Sequence, residues 1–233
     1  MTSHIDLTTG PSLNVDEALS LLAHDMRTSL TIIRGFAAHL SAHRDRMNED
    51  DVRASLSAIL MSTDGLLSFS EDLIDMARAE AGRLEIRQEH LDTISIIEPV
   101  LLLAQTTHPD HVFVLETEGP LAMAHIDGRR IGQVLNNLLD NAAKSSAPGT
   151  EVTLRVRSDG ARCEMSVRDQ GPGIPEDLHP HLFEKFPPNS DCRASSIGLG
   201  LYLCRLLVEA HGGSIWVGRV TTGSEFGFTL PRV

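Results

Sequence analysis

Two long runs of helical periodicity fill the N-terminal third of the chain and limit what it can fold into. In each run apolar residues recur every three or four positions, the spacing of a helix with one buried stripe. A polar segment at 41–51 separates the runs, and Gly82 follows the second run as a helix stop. The stripes contain Leu19, Leu22, Met26, Leu30, Ile33, Ala37 and Leu40, then Val52, Leu56, Ile59, Thr63, Leu66, Ser70, Leu73 and Ala77.

The two runs predict a helical hairpin, which by itself has too little core to be stable. We expect two copies of the hairpin to form a four-helix bundle in a homodimer. The alternative is one hairpin that packs on the rest of its own chain.

After about residue 90 the pattern changes to short β-like runs that alternate with helical segments at 129–144 and 198–211, which is typical of an α/β domain. The predicted fold class is therefore α+β with two domains. A tail covers residues 1–13, the hairpin covers 14–82 and the second domain covers 90–233. The β-like runs read HVFVLET, EVTLRVRSD, CEMSVRDQ and GSIWVGRV.

The charge balance and the cysteines restrict the partners and the compartment. Twenty Lys and Arg against 32 Asp and Glu give a formal net charge of −12, which disfavours nucleic acid and anionic membranes as partners. Three well-separated cysteines suggest neither a disulfide framework nor a zinc site. No apolar run approaches the roughly 18 residues of a membrane span. These features favour a cytoplasmic location.

His24 lies in the stretch LLAHDMRTSL, within the first helical run. At about 100° per residue, it lies two steps from both Leu22 and Met26 and so faces away from the apolar stripe. A core position is thereby excluded, and the absence of good ligands one turn away disfavours a metal site. An idle surface histidine and a nucleophile both remain open. Asp25 could hold the ring tautomer and accept its proton, and Thr28 places a hydroxyl on the same face.

The segment 129–146 combines an apolar helix face with a polar stripe. Asn137 and Asn141, one turn apart, are poor helix formers and need a reason to be there. Together with Lys144 they suit a hydrated magnesium ion and the phosphates that it bridges, although an ordinary solvated helix face has the same pattern. The apolar face contains Ile131, Leu135, Leu138 and Ala142, and the stripe contains Gln133, Asn137, Asn141 and Lys144.

Two glycine-containing stretches complete the set. In VRDQGPGIPE, Asp169 ends a strand-like run, and its carboxylate could accept a hydrogen bond from an exocyclic amine such as that of adenine. In SSIGLGLYLCRLLVEAHGG, Gly198 and Gly200 open a helix whose free amides suit phosphates. Each stretch alone is also compatible with a plain turn.

In their order along the chain, these stretches resemble the transmitter core of the sensor histidine kinases of two-component systems. The similarity runs from about Leu19 to the C-terminus. It comprises HDMRTSLT as the H-box, NLLDNAAKSS as the N-box, DQGPGIP as the G1 box, LFEKF as the F-box, GLGLYLCRLLVEAHGG as the G2 box, and a final GSEFGFTLP.

The resemblance implies a dimerisation and phosphoacceptor hairpin followed by an α/β sandwich ATP-binding domain of the Bergerat, or histidine kinase/Hsp90-like, type. It implies an ATP-dependent protein-histidine kinase that requires Mg²⁺ and passes its phosphoryl group to an aspartate of a response-regulator receiver domain. Dephosphorylation of that partner is a further implied activity. Because the segment before the first helix is short, the input is expected from a separate sensor protein or a missing upstream region.

Residue by residue, the resemblance implies that His24 is phosphorylated, that Asp25 activates it, and that Thr28 positions water for dephosphorylation. Asn141, supported by Asn137, would hold magnesium. The implied nucleotide contacts are Asn137, Asn141, Lys144 and Lys185 near the phosphates, Asp169 at adenine, and Gly171, Gly173, Ile174, Gly198, Leu199 and Gly200 around the pocket and its lid.

The chain also departs from the family pattern. Ser29 replaces a usual proline, so any helix bend at that position is expected to be smaller. In the lid, Pro187 and Pro188 replace an aromatic and an arginine, leaving Lys185 and Arg193 for the phosphates, and Ser196 replaces a glycine. The altered lid keeps open an alternative, a phosphotransfer scaffold or pseudokinase. A chaperone- or topoisomerase-type ATPase would leave the hairpin and its outward His24 unexplained.

Overall fold

The structure is a computed structural model that describes residues 15–119, 123–158, 162–185 and 199–231, with side chains from residue 23 onward except Asp25. The chain divides into two compact units, Met1–Ala77 and Arg78–Val233. The expected lid residues Pro187, Pro188, Arg193, Ser196 and Gly198 lie outside the described residues.

Two long helices make up the N-terminal unit, except that residues 78–80 of the second helix belong to the C-terminal unit. Helix α1 spans Val15–His43 and continues unbroken through Ser29, and helix α2 spans Glu49–Glu80. A short 3-10 turn, Arg44–Arg46, lies between them. In the described part of the chain, no helix combines the length and the apolar character needed to cross a bilayer.

The connection between α1 and α2 is shorter than the predicted 41–51. The polar composition of that segment concealed the start of α2, where the Asn48 side chain accepts a hydrogen bond of 2.7 Å from the Asp51 N–H. Three acidic residues in the first turn of α2 also favour its positive N-terminal dipole.

The predicted stop at Gly82 is confirmed. Gly82 lies two residues beyond the end of α2 and has φ +64°, and its N–H donates to the Ala79 carbonyl. The next N–H, that of Arg83, donates to the Arg78 carbonyl, so two carbonyls of the last turn are satisfied beyond the helix.

The C-terminal unit is an α/β sandwich, in agreement with the predicted fold class. Its main sheet has the strand order β2-β4-β5-β7-β6, in which β2 and β4 are parallel and the other neighbours are antiparallel. Strands β1 and β3 form a separate antiparallel pair. The elements are β1 Glu89–Asp92, α3 Thr93–Thr107, β2 Val112–Glu118, β3 Met123–Ile126, α4 Gly128–Ser145, β4 Glu151–Ser158, β5 Arg162–Arg168, a 3-10 helix Glu176–His181, α5 Leu199–Ala210, β6 Ser214–Gly218 and β7 Glu225–Pro231.

Helix α4 is the centre of the helical layer. It contacts α3 on one side and α5 on the other, and it packs on β4 and β5. Alternating residues of the strands supply the other half of the core, as period-2 burial requires. The fully buried side chains include Ile131, Leu135, Leu138 and Leu139 of α4, Leu154 of β4, Met165 of β5, Leu203 and Leu207 of α5, and Phe228 and Leu230 of β7.

Helix α3 and strands β1, β3 and β7 were not predicted. The apolar run of α3 contains Pro99, which interrupts the usual helical signal, and β1 and β3 are only four residues each. Asp92 is the N-cap of α3, and its side chain accepts a hydrogen bond from the Ile94 N–H.

Trp216 of β6 lies flat against Gly227 of the neighbouring strand β7. The two residues are directly opposite in the antiparallel register, and a side chain at position 227 would collide with the indole ring. Glycine is therefore required there by a close approach between a ring and a backbone.

His211 fastens the end of α5 to the start of α4. Its Nε2 accepts a hydrogen bond from the Asp127 N–H at 3.1 Å, and its Nδ1 lies 2.7 Å from the Leu207 carbonyl. Asp127 in turn caps α4 by accepting from the Arg130 N–H. Burial lowers the pKa of His211 from its ordinary 6.5, against the opposing pull of the Leu207 carbonyl and the Asp127 carboxylate. Neutral imidazole is thus the form that the fold holds.

This burial predicts a pH dependence of stability. Between the lowered pKa and 6.5 the unfolded chain binds more protons than the folded one, so the free energy of unfolding rises with pH and then levels off above 6.5. The slope approaches about 1.4 kcal/mol per pH unit at most. Urea unfolding across this range should show a smaller slope in His211→Gln than in the original chain. Equal slopes in the two proteins would contradict the prediction.

Candidate nucleotide and phosphoacceptor site

The polar stripe predicted on α4 lies beside a buried apolar face. Ile131, Leu135, Leu138 and Ala142 are all buried, while Asn137 and Asn141 are half-buried. The Asn137 side-chain nitrogen is itself buried and has no hydrogen-bond partner among the described residues. A buried amide donor without a partner is costly, which suits a position that a polar ligand completes.

Lys144 lies in the last turn of α4. Its Nζ is 2.7 Å from Asp140 Oδ2, one turn back along the helix. The second oxygen of that carboxylate, Oδ1, lies 3.0 Å from His108 Nε2. The Lys144 ammonium, which the sequence pattern places near phosphates, is therefore held by the Asp140 carboxylate. His108 holds the same carboxylate from the other side.

Asp169 follows β5 and is buried, with 2% of its surface exposed. Its Oδ1 accepts hydrogen bonds from the Gly171 N–H at 2.7 Å and the Ser224 N–H at 3.1 Å. Burial raises the pKa of Asp169 above its ordinary 3.8, although these N–H donors and the Ser224 side chain pull it down. Both backbone donors in the described residues use Oδ1, so Oδ2 is the oxygen at which we expect a ligand.

The glycines of this turn permit close packing of three segments. A Cβ at Gly171 would lie 2.6 Å from the Ser145 carbonyl oxygen at the end of α4. Gly173 has φ +79°, and Gly223, with φ +77°, packs against the Asp169 carbonyl oxygen. The turn is consequently held between the end of α4 and the segment before β7.

A cavity of about 610 Å³ opens beside this turn. One wall is the 171–176 turn with Ile174, and the other is the β6–β7 connection at 217–224. Asn137, Asn141 and Lys144 do not line this cavity. It therefore adjoins the Asp169 end of the site but not the polar stripe of α4.

The start of α5 lies next to the stripe. A Cβ at Gly200 would lie 3.8 Å from the Asn137 side chain, and Leu199 is buried. The predicted G2 and N-box residues are therefore brought together, as far as the described residues extend.

Lys185 has an acidic neighbour that the sequence did not reveal. Its Nζ lies 2.5 Å from a carboxylate oxygen of Glu80, and both residues belong to the C-terminal unit. Burial, followed by the Glu80 charge, raises the pKa of the nearby Tyr202 hydroxyl. A phosphate bound to Lys185 would have to share this ammonium with Glu80.

In the N-terminal unit, His24 is exposed on α1 as predicted. Its carbonyl accepts a 3.0 Å hydrogen bond from the Thr28 hydroxyl, which is also exposed. The Asp25 side chain lies outside what the structure describes, so its proximity to the imidazole stays a prediction.

The side chains at this site are of types that can bind Mg-ATP. Amide oxygens such as those of Asn137 and Asn141 are ligands that magnesium accepts, usually with several waters. Among the described residues, no group of three or more His, Cys, Asp or Glu residues is placed to hold a metal ion.

Sequence reasoning missed Ser224 and His108 as site residues. Ser224 was quoted within GSEFGFTLP without a role, and its position after a glycine at a strand start was the available signal. Nothing in the local sequence links His108 to Asp140, because the two lie 32 positions apart.

Two family descriptions match the chain. "His Kinase A (phospho-acceptor) domain" covers residues 14–82, and "Histidine kinase-, DNA gyrase B-, and HSP90-like ATPase" covers residues 126–233. The curated Sensor protein KdpD of Escherichia coli (strain K12) is 31% identical over 217 residues. That alignment covers 92% of this chain and 24% of KdpD, so the chain spans about a quarter of that relative.

Two solved structures extend the comparison to the fold. Full-length ShkA in complex with AMPPNP is 28% identical with a TM-score of 0.66, over 93% of this chain and 46% of ShkA. Histidine kinase ThkA in complex with the response regulator protein TrrA is 25% identical with a TM-score of 0.65, over 93% of this chain and 61% of the matched chain.

Proposed function

The chain belongs to the sensor histidine kinase transmitter cores, with a phospho-acceptor domain ahead of a histidine kinase-type ATPase domain, and from this premise we propose that it is an ATP-dependent protein-histidine kinase. The reaction is autophosphorylation of His24, followed by transfer to an aspartate of a response regulator. One observation carries the proposal: α4 and the start of α5 meet at the Asn137 side-chain nitrogen, which has no hydrogen-bond partner among the described residues, in the domain that also buries Asp169.

Nucleotide binding would use the two ends of the site separately. The Asp169 Oδ2 atom would accept a hydrogen bond from the adenine amine, while Gly171, Gly173 and Ile174 allow the flat base to approach. At the other end Asn137, Asn141 and Lys144 would face the phosphates, together with Lys185, Leu199, Gly200 and the lid glycine Gly198. Mg²⁺ held by Asn141 and Asn137 would offset the phosphate charge.

The chemical step needs little beyond positioning and charge. A neutral His24 ring nitrogen attacks the γ-phosphorus in line, the bond from phosphorus to the β–γ bridging oxygen breaks, and ADP leaves. Asp25 would take the proton from the other ring nitrogen. Exposure of His24 on α1 supports this role, since an attacking imidazole must be reachable by the nucleotide.

The phosphoryl group would then pass from His24 to a receiver-domain aspartate that docks on the hairpin. Thr28, one turn from His24, would position the water that dephosphorylates the response regulator. The similarity to ThkA, whose solved structure contains a response regulator protein, supports this class of partner.

We propose that the hairpin dimerises and that the chain divides at 14–82 and 90–233. Apolar side chains support the dimer: Met26, Leu30 and Leu60 are 43%, 54% and 63% exposed in the single chain. A four-helix bundle of two hairpins would bury such surfaces. ATP as substrate supports a cytoplasmic location. The signal would arrive from a sensor region or a separate sensor protein.

The contact between Lys185 and Glu80 favours a second candidate, a phosphotransfer scaffold or pseudokinase. If Glu80 draws the Lys185 ammonium away from the phosphates, a phosphate-binding cation is withheld from the nucleotide. Isothermal titration with Mg-ATP separates the candidates, because binding without phosphorylation indicates a pseudokinase and no binding at millimolar concentration indicates a scaffold.

The proposal predicts that incubation with radiolabelled Mg-ATP places acid-labile, base-stable phosphate on the chain. The label should be lost in acid because a phosphoramidate hydrolyses in acid, whereas phosphoserine does not. Peptide mapping should locate the phosphate at His24. Label that survives acid, or that maps to another histidine, would be incompatible with the proposed reaction.

A further inference from the structure

Asp140 of α4 joins two side chains that come from different parts of the C-terminal unit. Its Oδ2 is 2.7 Å from Lys144 Nζ, and its Oδ1 is 3.0 Å from His108 Nε2. Because an ionised carboxylate only accepts hydrogen bonds, the His108 Nε2–H is the donor. Both oxygens of Asp140 are therefore engaged, and the direction of the carboxylate is set from two sides.

The His108 ring is itself held in place. It lies edge-on to the His111 ring, with the centroids 6.1 Å apart, and 6.4 Å from the Phe113 ring. His111 is 8% exposed, and neither of its ring nitrogens has a hydrogen-bond partner among the described residues, so it serves as a packing surface. The His108 side chain is only 18% exposed. The connection between α3 and β2 thus presents a restrained imidazole to α4.

We propose that His108 and Asp140 position Lys144 for the nucleotide phosphates. This inference rests on the proposed function, which places Lys144 at those phosphates. His108 orients Asp140, and Asp140 in turn holds the Lys144 ammonium at the level of Asn141, one turn back on the helix. Neither residue touches the nucleotide, so both are positioning residues.

The physical advantage is conformational. A free lysine side chain loses rotamer entropy when it is fixed. A lysine that is already held gives up less of this on binding, and its ammonium keeps donors for a phosphate while one donor stays on Asp140. Outer partners orient metal ligands in the same way.

An ordinary ion pair along a helix would predict something different. Such a pair is worth little when its side chains are about a third exposed, as Lys144 and Asp140 are at 34% and 38%. It would also need nothing from outside the helix. The contact from His108, which is 36 positions from Lys144 and on another segment, is what distinguishes a built arrangement from an incidental pair.

A double-mutant cycle on nucleotide affinity tests the inference. The probe is Mg-AMPPNP, a non-hydrolysable ATP analogue, titrated calorimetrically into the full chain. Lys144→Ala should weaken binding by about tenfold or more. His108→Leu should weaken it by about threefold to tenfold when Lys144 is present, and should have no effect in the Lys144→Ala background.

His108→Gln supplies the matched control, because the glutamine amide can still donate to Asp140. We expect it to recover most of the affinity that His108→Leu loses. A purely structural role of His108 would lower the affinity equally in both Lys144 backgrounds. Thermal unfolding of each variant shows whether a loss of affinity is accompanied by a loss of stability.

Equal losses in the two backgrounds, or no loss in His108→Leu, would overturn the positioning role while leaving the proposed function intact. If the original chain failed to bind Mg-AMPPNP, both the proposed nucleotide site and the positioning role would be wrong. If it bound the analogue and the cycle showed coupling, but His24 took up no phosphate, only the kinase reaction would be wrong.

Discussion

A chain carrying His24→Gln is expected to take up no acid-labile phosphate from Mg-ATP, because glutamine lacks a nucleophilic ring nitrogen. The substitution lies on the exposed surface of α1, so the stability of the chain should change little. Affinity for Mg-AMPPNP should be unchanged as well, since the proposed nucleotide contacts all lie in the C-terminal unit. The measurement is phosphorimaging of the labelled chain, paired with calorimetric titration.

His39→Gln is the matched control for this experiment. His39 is an exposed histidine on the same helix, and its labelling should match that of the original chain. Full labelling of His24→Gln would disprove the assignment of the phosphoacceptor. Loss of label in both variants would show that the two substitutions damage the helix rather than the chemistry.

The Asp169→Asn substitution is expected to weaken Mg-AMPPNP binding by about a hundredfold, while the turn itself stays intact. The amide oxygen of asparagine can keep the bonds from the Gly171 and Ser224 N–H groups. When the amide oxygen takes the place of Oδ1, the NH₂ group of the asparagine points toward the position of Oδ2. An amine donor of adenine would then meet another donor, and a buried polar mismatch would replace a hydrogen bond.

Acidification should mimic this loss in the original chain. Because burial raises the pKa of Asp169, its carboxylate takes up a proton at a higher pH than an ordinary aspartate with a pKa of 3.8. Affinity for the analogue should therefore decline as the pH falls toward that raised value, and the decline should be smaller in Asp169→Asn, because only protonation of the analogue's own phosphates is common to both proteins. Asp177→Asn, an exposed aspartate on the adjacent 3-10 helix, is the control and should bind normally. Normal binding by Asp169→Asn would remove the carboxylate from the adenine site.

The parts of the fold with strong periodicity were predictable from the sequence. Helix α4 was expected at 129–144 and spans Gly128–Ser145, and its apolar face is the buried one. Strand β4 likewise follows its alternating run at 151–158. Helix α3 escaped prediction because Pro99 and a nearly continuous apolar run hide the helical period. Local pattern therefore located α4 and β4, in which one face is polar and the other apolar.

The candidate site was predictable residue by residue but not as an arrangement. The sequence singled out Asp169, Asn141 and Lys144 by type and spacing. It could not reveal that Glu80 lies beside Lys185 or that His108 reaches Asp140, because these pairs are 105 and 32 positions apart and depend on how the domain closes. Ser224 became recognisable only when β7 was seen to bring its N–H to Asp169.

The contact between Trp216 and Gly227 gives this protein a built-in optical reporter. Trp216 is the only tryptophan in the chain, and the residues that follow it, Val217 and Gly218, line the cavity beside the Asp169 turn. An indole that is pressed against a strand backbone cannot rotate freely. A change in its emission therefore reports a change in the adjoining wall of the cavity. Ligand occupancy of that cavity should therefore be readable from intrinsic fluorescence, without any attached dye.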